Sequence, residues 1–227
     1  MQYLVTLAIS FGKGILLGGA VYLLGCYMDR TISRESHDIV QNDKKTYSIA
    51  QKYIFINLLI ISPITYMMVD VFFLNHEMTF SFFPFIGLIM IQNMGYYLIH
   101  REMHQNKKIY WIHMFHHKYD TITVPSIANA VSQYEFVLAY LIPMIAGAVF
   151  IKPTELEFIS SVGLISFCNL LIHTYELNKV PWCPGLVSPT HHITHHKERN
   201  IHYAAPLLNV DEYMYYVSQY ILKNKNV

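Results

Sequence analysis

The chain has 227 residues, 53% of them hydrophobic and 14% charged, which is too apolar for an ordinary soluble domain. Its formal net charge is +1, with the basic residues spread along the chain, so there is no electrostatic footprint for nucleic acid. The three cysteines, Cys26, Cys168 and Cys183, have no paired or CxxC spacing, which argues against a disulfide framework and against a thiolate zinc site.

In chain order the apolar stretches cover residues 3–28, 54–74, 80–99, 136–151 and 158–172. A hydrocarbon core of about 30 Å takes roughly 20 helical residues. The first three stretches are long enough to cross. The last two look short unless flanking polar residues extend them or the pair forms a shallow hairpin. Lys13 in the first stretch can snorkel, Pro63 interrupts the second, and Asp70 there reads as a cap or as a group reaching a partner. Residues 1–5 lack the positive leader of a cleavable signal. The expectation is an all-α, polytopic integral membrane protein with four to five transmembrane or hairpin helices, one domain over residues 1–227, and a histidine-rich helical cap.

Charge sets the expected orientation. Of the 16 lysines and arginines, Lys13 lies inside a stretch and Lys152 falls on one face, and the remaining fourteen collect on the other. The positive-inside rule puts that face, and with it the histidine-bearing segments 100–130 and 173–227, in the cytoplasm. Near the end, Tyr213, Met214, Val217, Tyr220 and Ile221 recur at helical spacing and predict an amphipathic helix on the cap or on the membrane surface. The closing KNKNV has lysines third and fifth from the end, as in a KxKxx retrieval signal for the endoplasmic reticulum, although a solvated basic tail reads the same way.

Eleven of the 13 histidines lie between His100 and His202. They form HREMH (His100, His104), HMFHH (His113, His116, His117) and HHITHH (His191, His192, His195, His196), with His173 and His202 standing apart. Residues three and four apart share a helix face, so each group is expected to present two or three imidazoles to one point as half of a cage. Neutral imidazole suits iron, zinc, copper and nickel, and one tetrahedral zinc takes four ligands. Nine candidates therefore point to two metals, with His100, His104, His113, His116, His117, His173, His192, His195 and His196 as ligands. His191, His202, Asn169 and Glu176 are additional candidates, as ligands or as partners that orient them. Glu102 and Glu135 read as orienting carboxylates, helix caps or solvated surface. His37 and His76 read as ordinary loop residues.

HREMH, IHMFHH and PTHHITHH resemble the three histidine boxes of the membrane fatty acid hydroxylase and sterol desaturase superfamily, over a histidine-box core of residues 80–215. IYWIHMFHHKYD followed by PSIANAVSQYEF resembles that family's second box and the downstream segment ending in a glutamate, here Glu135. HTYELNKVPW is similar to a segment of the sterol C4-methyl oxidases, and NIHYA resembles the family's closing motif. The resemblance implies a non-haem di-iron oxygenase that hydroxylates, oxidises or desaturates a sterol or fatty acyl lipid with dioxygen. It implies two iron ions, with zinc a competitor on isolation, and an external electron donor such as cytochrome b5 with an NAD(P)H reductase. Lys107, Lys108 and Lys118 are the expected docking residues for an acidic carrier, whether soluble or membrane-anchored. A membrane zinc-dependent hydrolase and a non-enzymatic metal-binding membrane protein are the alternatives. The hydrolase hallmark HExxH has Arg101 in place of its glutamate here, and a transporter would carry its ionisable residues at the middle of its spans.

Overall fold

The computed structural model describes residues 2–225, and among them it is all helical. Its long elements are α1 (Gln2–Thr31), α2 (Arg34–Asn42), α3 (Lys44–Phe72), α4 (Phe82–Gln105), α5 (Tyr110–His113), α6 (Gln133–Ile151), α7 (Glu155–Ile172), α8 (Pro189–Glu198) and α9 (Val210–Lys225). Five of them, α1, α3, α4, α6 and α7, are long and apolar enough to cross a membrane. The last two reach 19 and 18 residues, about 27–29 Å at 1.5 Å per residue. Polar flanks supply the extra length that the apolar runs lacked. Gln133–Glu135 opens α6 behind a Ser132 cap, and Thr154 with Glu157 forms a capping box at the start of α7.

Prolines shape two of the spans. Pro63 follows a π-helical turn at Asn57–Ile61, and Pro143 follows another at Phe136–Leu141. Proline lacks an N–H and crowds the carbonyl four residues earlier, and a widened turn accommodates both defects. The first of these turns also positions Asn57, fully buried, whose amide donates to the backbone oxygens of Asn129 and Val131 at 3.2 and 2.9 Å. A membrane helix thereby grips the loop that leads from the second histidine group into α6.

α1 lies along α3 with backbones nearly touching. A Cβ at Gly18 would stand 2.0 Å from the Leu58 carbonyl oxygen, and one at Gly14 would stand 2.6 Å from the Pro63 Cα. Gly14 and Gly18 form a GxxxG pair, the pattern that lets membrane helices approach closely. Away from the histidines, polar side chains tie the bundle together. Lys13 reaches the start of α7. It meets Glu155 at 2.6 Å, which also accepts from the Tyr66 hydroxyl at 2.7 Å, while Ser10 donates to Asp70 at 2.5 Å. Asp70 thus reaches a partner in α1.

The C-terminal helix forms as the spacing predicts, but its apolar face stays open. Tyr213, Met214, Val217, Tyr220 and Ile221 are all exposed, although the Tyr213 hydroxyl lies against Gly185 of the cap. Residues 226 and 227 of the KNKNV tail lie outside the described residues.

Replacing Gly18 with leucine should lower the melting temperature of the purified protein and its folded yield, by the roughly 1–3 kcal/mol typical of overpacking. Gly19→Leu nearby should be mild, because a Cβ there meets its nearest neighbour at 4.0 Å. Equal thermal stability of the two variants would contradict the tight α1–α3 crossing.

Candidate metal centre

Each histidine group owes its position to a local feature of the chain. α4 runs on past its apolar stretch to Gln105 and carries His100 and His104 one turn apart. The second group is not one helix: α5 ends at His113, and His116–Lys118 forms a 3-10 turn. α7 ends at Ile172, with His173 capping it. α8 starts where the Ser188 side chain accepts from the His191 amide and Pro189 takes the first helical turn, and it places His192, His195 and His196 on one buried face.

The structure gathers nine imidazoles into two adjoining clusters. His100, His104, His113, His117 and His195 form one, and His116, His173, His192 and His196 form the other, each with ligand atoms within 4.8 Å of one another. Contacts between the clusters are close, with ring centroids 4.9 Å apart for His117 and His196 and 5.4 Å for His113 and His116. The expected half-cages are not what forms. The break in the helix turns His113 and His117 toward one cluster and His116 toward the other, and α8 likewise divides His195 from His192 and His196.

Hydrogen bonds decide which ring nitrogen is free. His100, His173 and His195 donate from Nδ1 to the backbone oxygens of Tyr203, Asn169 and Ile201, each at 2.7 Å, and His117 does so to His196 at 3.3 Å. His113 donates from Nδ1 to the carboxylate of Glu135 at 2.6 Å. A neutral ring with its proton on Nδ1 keeps a bare lone pair on Nε2. The Nε2 atoms of His100 and His113 then sit 2.9 Å apart, and those of His113 and His117 2.8 Å apart. His195 Nε2 is buried with no hydrogen-bond partner among the described residues. Converging lone pairs repel unless a cation lies between them. Neighbouring ligands on one ion with metal–nitrogen bonds of about 2.1 Å stand about 3.0–3.4 Å apart, close to the spacing found. The donor set fits metal ions.

Electrostatics agree. Burial, with help from neighbouring imidazoles, holds His173 and His195 down at about 4 and His117 at about 2. Burial also keeps His113, His116, His192 and His196 well below the usual histidine range. These rings are neutral near pH 7 and available as ligands. Glu135, fully buried behind His113, accepts from its Nδ1.

Other candidates fall elsewhere. His191 and His202 stack on each other at 4.8 Å, outside both clusters. Asn169 contributes through its backbone oxygen, while its side chain leans toward the Ala128 oxygen at 3.5 Å. Glu176 is exposed and accepts from Ser33 and Ser36, and Glu102 pairs with Asn106. His37 meets Tyr47, and His76 is exposed 3.9 Å from Asp70. The Ile201 and Tyr203 oxygens escaped sequence reasoning because a backbone carbonyl has no side-chain signature. Their presentation depends on a tight return after α8, with Arg199 and His202 at φ 62 and 53.

Removing the carboxylate behind His113 should loosen the centre. Glu135→Leu is expected to lower metal affinity about 10- to 100-fold, read as metal retained after dialysis against a graded chelator, with Glu176→Leu unaffected. Equal retention in both variants would contradict the orienting role of Glu135.

Comparison with known proteins agrees with this architecture. The family model for fatty acid hydroxylase matches residues 85–215, more than half of the chain and all nine clustered histidines. No curated protein and no solved structure matches. An integral membrane bundle with a buried histidine centre, matched by that family model over most of the bundle's second half and its cap, belongs to the fatty acid hydroxylase family of lipid oxidoreductases.

Proposed function

We propose that the chain is a membrane-bound non-haem di-iron oxygenase that hydroxylates, oxidises or desaturates a sterol or fatty acyl lipid, using dioxygen and electrons from an external donor. The observation that carries this reading is the pair of adjoining clusters, five and four imidazoles, with lone pairs converging inside each. His100, His104, His113, His117 and His195 would hold one ion, and His116, His173, His192 and His196 the other. Iron in such a site supplies one-electron chemistry toward dioxygen, which zinc cannot.

The chain's own residues provide the setting. The Nδ1 bonds to Tyr203, Asn169, Ile201 and Glu135 hold the rings in one orientation. Burial of eight of the nine imidazoles excludes water, as oxidation of an inert carbon–hydrogen bond requires. Tyr96 and Tyr203 wall the first cluster, 5.0 Å from His100 and 5.5 Å from His104 between ring centroids. The lysine and arginine bias supports a cytoplasmic orientation for this face. The exposed Lys107, Lys108 and Lys118 suit docking of an acidic carrier such as cytochrome b5. HTYELNKVPW favours the sterol branch.

The hydrolase alternative lacks its base. Arg101 and Glu102 are exposed, and Glu135 is bound behind a ring, so none of the three faces the converging lone pairs.

Lipid analysis of cells expressing the active chain or its variants tests the proposal. Oxygen-dependent conversion of a sterol or acyl lipid is expected to vanish with alanine at any of the nine histidines and to survive His37→Ala and His76→Ala. Charge reversal at the three lysines should slow turnover and flatten its salt dependence. Conversion retained in two or more of the nine alanine variants would count decisively against the reading.

A further inference from the structure

Below the metal centre, between α1, α3, α6 and α7, lies a cavity of about 80 Å³, continued by a second of about 50 Å³ that shares Leu17, Ser62, Leu141, Met144 and Val162 with it. The lower one is floored by Tyr66, whose hydroxyl is bound to Glu155. The walls are mostly aliphatic, as expected between membrane helices. Two primary amides are not. Gln92 and Asn129 both line the upper cavity and are 2% and 6% exposed.

Neither amide is satisfied by the protein. Gln92 accepts a hydrogen bond from Asn93 on Oε1, but its Nε2 donates to no described residue, and the Asn129 side chain makes no hydrogen bond to one. This is not slack in a loose loop. The backbone of Asn129 is clamped by the Asn57 amide, and Gln92 sits within α4. A buried amide without a partner is costly in an apolar setting, and two such groups facing one cavity make a built site.

We propose that this cavity receives part of the lipid substrate and that Gln92 and Asn129 recognise a hydroxyl group on it. A hydroxyl both donates and accepts, so one such group can accept from Gln92 Nε2 and donate to Asn129 Oδ1, whereas a plain hydrocarbon segment leaves both amides unpartnered. The upper cavity has the volume of two or three water-sized groups at roughly 30 Å³ each, enough for a hydroxyl and the carbons beside it. Position fixes where on the substrate that hydroxyl lies. Gln92 precedes His100 by eight residues on one helix, about 12 Å along its axis. Tyr140 lines the upper cavity on the side of the metals: its ring packs at 5.2 Å on Tyr96, which in turn lies 5.0 Å from His100. The substrate is therefore a lipid whose hydroxyl is roughly 12 Å from the carbon that is oxidised.

This inference rests on the oxygenase reading for what happens at the metals, and the test separates the two. Full-length protein in lipid nanodiscs, loaded with zinc so that no turnover occurs, is titrated with two matched pairs of probes: a 3-hydroxysterol with its 3-deoxy counterpart, and a mid-chain hydroxylated octadecanoic acid with octadecanoic acid. In one pair the hydroxylated member should bind about three- to tenfold more tightly, the contribution of an ordinary hydrogen bond, and the pair that discriminates identifies the source of the hydroxyl. Gln92→Leu with Asn129→Leu should erase the difference while metal content is kept. Equal binding within both pairs by the unaltered protein overturns the inference whatever the variant does, and so does a preference that survives the double substitution. Hydroxyl-selective binding without any oxidation by the iron-loaded protein would sink the oxygenase reading and leave this one standing.

Discussion

The arrangement depends on where each imidazole keeps its proton. Tyr203, Asn169, Ile201 and Glu135 each accept a hydrogen bond from a ring Nδ1 at 2.6–2.7 Å, so the opposite nitrogen is left as a lone pair aimed inward. Several bare lone pairs within about 3 Å, in a space that water cannot reach, are unstable without positive charge between them. Burial works in the same direction by keeping the rings neutral. The fold therefore holds a set of ligands that cannot satisfy one another, and their position next to the membrane bundle determines which substrates can approach.

The bundle fixes those partners. Asn93, within α4, accepts from the amides of Leu207 and Leu208 at 3.1 and 2.9 Å, anchoring the segment that follows the Tyr203 carbonyl. Asn57 in α3 grips the loop that ends at Glu135. The Gly14 and Gly18 crossing lets α1 press close enough to α3 to complete this side of the bundle. Inside the membrane a polar group with two partners is a precise fastener, because water offers it no alternative. Asparagines in the spans thus do for the loops what carbonyls do for the rings.

Much of this was legible in the sequence, and the reasons differ by element. The apolar runs gave α1, α3 and α4 directly. α6 and α7 were undercounted because their first turns are polar and held by Ser132 and by the Thr154–Glu157 box, which hydropathy does not register. The nine imidazoles stood out by density, yet their division into five and four did not. That division follows from a helix break between His113 and His116, a feature of backbone geometry that a spacing argument assuming one continuous helix misses. Glu135 was visible as a candidate without its role, since the same residue type in the same place also serves as a cap. The orienting carbonyls leave no trace at all in the sequence, whereas the aromatic residues of α9 announce their helix by spacing alone.

Metal analysis of the protein purified without chelator, together with X-ray absorption at the iron edge, tests the central claim most directly. Two irons per chain are expected, each in a shell dominated by imidazole nitrogen, with weaker retention of the ion held by His113 when Glu135 no longer orients that ring. A single tightly held ion per chain, or a shell containing sulfur, would contradict it.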